Sequence, residues 1–105
     1  MIAGVRVLAL LLLVPLNLPR APGQLTLRND SWDAVQVEVR VGTSGQCDTN
    51  EVAGVRTLAR DRRWVVIVNG VVCWRREAQP GSGNGQWTAW QSGVVPPGAV
   101  QEASL

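Results

Sequence analysis

The chain contains no histidine, lysine, phenylalanine or tyrosine, and only two cysteines. Each absence excludes some chemistry. Without His, Lys or Tyr most general bases and several nucleophiles are missing, and no Ser-His-Asp arrangement can be assembled. Two cysteines without histidine cannot supply the four soft ligands of a zinc site, so neither metal nor cofactor is expected. Carboxylates remain, and a pair of them could cleave a glycosidic bond. Asp30, Asp33, Asp48 and Glu51 fall in turn-like sequence, where acids are ordinarily solvated. Calcium could use oxygen ligands from Asn29, Asp30 and Asp33, or from Asp48, Asn50 and Glu51, but neither spacing matches a calcium loop. The composition therefore predicts a protein that is not an enzyme, with a small carboxylate-dependent hydrolase acting on glycans as the alternative.

All positive charge is carried by arginine, and Arg, Ala, Gly, Val and Pro are plentiful. Arg, Ala, Gly and Pro have GC-rich codons, so the bias points to a GC-rich bacterial genome. The N-terminus has the pattern of an export signal. One arginine, Arg6, precedes the apolar run Val7–Val14, and small residues at Ala21 and Gly23 suit cleavage before Gln24. Pro15, Asn17, Pro19 and Arg20 interrupt the run well short of the roughly 20 apolar residues of a membrane span. Residues 1–23 are thus predicted to be a signal peptide, and no membrane span is expected after its removal. Losing Arg6 and Arg20 leaves eight arginines against eight acids, so the isoelectric point near 9.0 belongs to the precursor. Nucleic acid is accordingly not expected as a partner. In an exported chain, secreted or periplasmic, Cys47 and Cys73 are expected to form a disulfide. Asn29-Asp30-Ser31 is a formal glycosylation sequon that would matter only in a eukaryotic host.

Apolar residues recur with period two, the pattern of half-buried strands. Leu25 and Leu27 mark a first strand. Val35, Val37, Val39 and Val41 alternate with Ala34, Gln36, Glu38 and Arg40 in the clearest one. A weaker strand is expected over residues 52–59. Trp64–Val68 is apolar on both faces and reads as a central strand. Asn69-Gly70 lies between apolar runs, the strongest local sign of a two-residue hairpin. Such a hairpin sets Val68 against Val71, Val66 against Cys73 and Trp64 against Arg75. Residues 80–85 read as a flexible loop, Trp87–Gln91 as a last strand, and residues 93–105 as a disordered C-terminal tail. The expected fold is all-β: a small antiparallel β-sandwich or partly open barrel of about six strands over residues 24–92. There is no internal repeat, and the motifs identify no family.

One constellation stands out. The expected hairpin brings Arg62-Arg63-Trp64 beside Trp74-Arg75-Arg76. Guanidinium groups bind sulfate, phosphate and carboxylate in bidentate fashion and stack on indole. Arg62, Arg63, Trp74, Arg75 and Arg76 are therefore the candidate ligand-binding residues. The competing expectation is that Asp61, Glu77 and Glu38 neutralise the arginines and Trp74 packs. The five tryptophans could also form a platform for sugar rings, or replace the missing Phe and Tyr as core filler. Together these features predict a non-catalytic binding domain for an anionic or carbohydrate ligand of the cell envelope.

Overall fold

The computed structural model describes residues 21–105. The predicted signal peptide lies mostly outside that range. Its last residue, Gly23, already belongs to the first strand, paired with Val68.

Among the described residues, seven strands form two sheets: β1 (Gly23–Arg28), β2 (Ala34–Gly42), β3 (Glu51–Ala59), β4 (Arg63–Val68), β5 (Gly70–Arg76), β6 (Gln91–Val95) and β7 (Val100–Ser104). The three-stranded sheet has the order β4-β1-β7 and the four-stranded sheet the order β3-β2-β5-β6. All pairings are antiparallel except β1 with β7, which is parallel. The architecture is β-sandwich-like. Leu25, Leu27, Trp64, Val66 and Val68 from one sheet share a buried core with Val35, Val37, Val39, Leu58, Val72 and Val95 from the other.

The period-two reading holds best for β1 and β2. Val35, Val37 and Val39 are fully buried, and Gln36, Glu38 and Arg40 alternate with them on the outer face. Four other expectations are corrected. Asn69-Gly70 does not close a hairpin: β4 pairs with β1, whereas β5 pairs with β2 and β6, so the dipeptide carries the chain from one sheet to the other. Gly70 is required there for a different reason. Its φ is 139°, and a Cβ would lie 2.8 Å from the Gly42 carbonyl oxygen. Second, β4 is an end strand and not a central one. It buries Trp64, Val66 and Val68 and exposes Val65 and Ile67. Third, Trp87–Gln91 is not a strand. Trp87 makes a single bridge to Glu77, and strand geometry begins at Gln91. Fourth, residues 93–105 are not a disordered tail. They complete β6 and form β7, which runs beside β1 from Gln24–Val100 to Arg28–Ser104.

The disulfide forms as expected. Cys47 opens a short 3-10 helix (Cys47–Thr49) and joins Cys73 of β5 across a Cα separation of 5.7 Å. It ties the β2–β3 connection to the outer face of the four-stranded sheet. Asn50 secures the same connection by donating to the Ser44 carbonyl at 2.8 Å.

Candidate functional site

The five candidate residues separate into two places. Arg62 lies in the β3–β4 turn and Arg63 opens β4 opposite Arg28, both exposed. Trp74, Arg75 and Arg76 end β5 in the other sheet. The cluster of four guanidinium groups therefore does not exist, because the hairpin that would have assembled it does not form.

Alternation along β5 then sends its last residues to different faces. Arg75 pairs with Glu38 on the outer face, while Trp74 pairs with the buried Val39 and Arg76 with the buried Val37. On the outer face Glu38 is nearly inaccessible, and each carboxylate oxygen meets one arginine. Arg75 Nη2 lies 2.7 Å from Oε1, and Arg40 Nε lies 3.1 Å from Oε2. Two indoles cover this triad. The Arg75 guanidinium sits 5.0 Å from the Trp87 ring and 4.3 Å from the Trp90 ring, and Arg40 lies 5.5 Å from Trp90. Trp90 Nε1 donates to Asp48 at 3.0 Å, next to the disulfide. The result is a stack in which Trp87, Arg75, Trp90 and Arg40 alternate. Cation–π attraction and paired charge both hold it together. Glu38 thus neutralises Arg75, in line with the competing expectation. Glu77 instead accepts the Gln36 N–H at 2.7 Å.

Arg76 has a different setting. Its Nη1 donates to the Glu77 carbonyl at 2.6 Å, and its guanidinium sits 5.1 Å from the Trp32 ring. No carboxylate among the described residues forms an ion pair with it. Arg76 lines a cleft of about 390 Å³ whose walls include Trp74, Thr88, Gln91, Ala103 and Ser104. That volume falls in the range of about 300–1,000 Å³ typical of small-ligand sites. The cleft opens between β7 in one sheet and the Trp74 end of β5 and Gln91 end of β6 in the other. A second hollow of about 360 Å³ lies beside Trp32. Its arginine, Arg60, is already paired with Asp33 at 2.8 Å.

The sequence pointed to Trp74 and Arg76 but not to Thr88, Gln91, Ala103 and Ser104. These are ordinary polar or small residues, and only the folding of the C-terminal strand onto β1 brings the last two to the cleft. Three of the four turn carboxylates have separate partners. Asp30 pairs with Arg28, Asp33 with Arg60, and Asp48 takes the Trp90 N–H. Asn29 and Asn50, the amides of the two calcium-like sets, are engaged internally. Asn29 accepts from Trp32 N at 2.9 Å and donates to the carbonyls of Trp32 and Leu58 at 2.8 and 3.0 Å. Being fully buried, Asn29 also cannot accept a glycan in the folded chain. Compared with protein-family models, with curated proteins and with solved structures, the chain matches none, so the geometry of the site carries the functional argument alone.

Proposed function

We propose that this is an exported, non-catalytic binding domain that takes an anionic group of an extracellular or cell-envelope ligand into the cleft beside Arg76. One observation carries the reading. Of the three candidate residues at the end of β5, Arg76 alone combines a cleft position with a charge that no described carboxylate neutralises. Its guanidinium is held by a backbone carbonyl and an indole face, both of which orient it without cancelling its charge. A pre-positioned arginine loses little freedom when it binds a carboxylate or sulfate. Trp74 adds a flat apolar wall, and Thr88 and Gln91 add hydrogen-bonding groups. Export is supported by the disulfide between Cys47 and Cys73. Among the described residues no helix is long and apolar enough to cross a membrane. The hydrolase alternative needs two convergent carboxylates, and Asp30, Asp33 and Asp48 are each engaged with a separate partner.

Titration with a heparin-derived octasaccharide, a soluble polyanion, tests this reading by tryptophan fluorescence. Arg76→Gln is expected to weaken binding by at least about ten-fold, the size of one charge-assisted hydrogen bond. Arg63→Gln, on the other sheet, is expected to leave binding unchanged. Equal loss in both variants would show diffuse attraction to surface charge and overturn the proposal.

A further inference from the structure

On the reading that the cleft takes an anion, we infer that its occupant is an extended acidic peptide segment that adds as a fourth strand to the free edge of β7 and directs a carboxylate toward Arg76. The three-stranded sheet is one strand short of the sheet it faces. Among the described residues β7 ends it, with β1 on one side only, so alternate N–H and C=O groups along residues 100–104 point away from the sheet. Among the described residues, the inner surface of this flank is only partly covered. Gln101 pairs with the buried Leu25, and Gln91 pairs with Trp74, so register turns both toward the inside, yet both are exposed. Ala103, beside the cleft, is small, and together with the partly buried Leu105 it lines the space without filling it. A strand laid along β7 would run over this gap, with its alternate side chains directed at Trp74 and Arg76.

The edges of β3 and β4 lack this combination. On β3, Val39 and Arg40 pair with Gly54 and Val52, which leaves Ala53 as an extra residue. A bulge of this kind disrupts the ladder and discourages strand addition. Beside β4, the space between the sheets is filled by Trp64 lying on Gly54. Charge selects the occupant at β7. Arg76 calls for a carboxylate, and a chain backbone supplies the hydrogen bonds that the edge lacks, as in other strand-addition complexes. A second copy of the chain fits poorly. Antiparallel β7–β7 pairing centred on Glu102 sets two glutamates directly opposite each other, a destabilising arrangement.

The experiment selects heptapeptides with glutamate fixed at the centre from a displayed library, using the whole protein as bait, and synthesises the enriched sequences. These are expected to slow amide hydrogen exchange at residues 100–104. Affinity should fall at least about ten-fold in Arg76→Gln or when the central glutamate becomes glutamine. N-methylation of alternate peptide nitrogens should abolish binding. If no peptide is enriched, or none protects β7, while the heparin octasaccharide still depends on Arg76, strand addition is wrong and the anion cleft stands. If neither probe depends on Arg76, both proposals fail.

Discussion

The two open flanks of the sandwich use the same residue types to opposite ends. On the flank of β3 and β4, Trp64 is 5% exposed and lies against Gly54, where even a Cβ would come within 3.2 Å of the ring. Arg56 lies over the same indole, its guanidinium 4.6 Å from the ring. That flank is plugged. On the flank of β5, β6 and β7, Trp74 is only half-buried, Arg76 stacks on a different indole, and a cleft remains. What differs is the surface opposite each tryptophan. A glycine on β3 lets the Trp64 ring close the gap, whereas Ala103 and Gln91 leave the gap beside Trp74 unfilled. Tryptophan acts as a core plug or as a cleft wall according to the residue it faces.

The largest effect is expected from removing the plug. Trp64→Ala deletes the bulkiest core side chain and leaves a cavity between the sheets, a loss of about 3–5 kcal/mol. Urea denaturation followed by circular dichroism measures it; a loss below about 1 kcal/mol would show that Trp64 does not close its flank. Next comes the crosslink on the outer face. Replacing Cys47 and Cys73 together by serine releases a loop with a sequence separation of 26. In the chain-entropy account this costs about 3 kcal/mol. Because the disulfide adjoins Asp48 and Trp90, the same variant is expected to red-shift and expose the Trp90 indole.

The contrast between the flanks was only partly legible in the sequence. β2 announced itself because four valines alternate with polar residues, and one buried face is all that period two requires. The disulfide was legible from cysteine count and export pattern. Asn69-Gly70 misled because local turn chemistry specifies a change of direction and not the sheet that the next strand joins. The run from Trp64 to Val68 misled for a related reason: exposed Val65 and Ile67 look like buried residues when only composition is read. β7 gave no signal because the inward side chains of Val100–Ser104 are Gln101 and Ala103, one polar and one small, and its partner strand lies near the other end of the chain. With β7 unseen, the cleft could not be seen either, although Trp74 and Arg76 were named.

A smaller effect is expected at the end of the plugged flank. Asn29 joins the β1–β2 connection to β3 through its side-chain bonds to Trp32 and the Leu58 carbonyl, and its backbone carbonyl accepts from Asp61. Asn29→Ala leaves those buried groups without partners, which costs about 2 kcal/mol. Asn29→Asp sharpens the test, since it keeps the acceptor and removes the donor. If the alanine variant is as stable as the parent, the connection does not depend on the amide.

The smallest effect on stability separates the flanks most directly. Trp74→Ala removes the same side chain as Trp64→Ala, but from a position only partly buried and bordering an opening. It loses its contact with the edge of the core but leaves no sealed cavity, so the cost should be about 1–2 kcal/mol, below that of Trp64→Ala. Binding should respond in the reverse order. Trp74→Ala is expected to weaken the ligand of the Arg76 cleft, while any folded substitution on the Trp64 flank, such as Trp64→Phe, leaves it intact. Parallel denaturation and ligand titration of the two variants measure both quantities. A Trp74→Ala variant that loses as much stability as Trp64→Ala would mean that the indole fills core on this side too, and the cleft would then be packing slack with no ligand to hold.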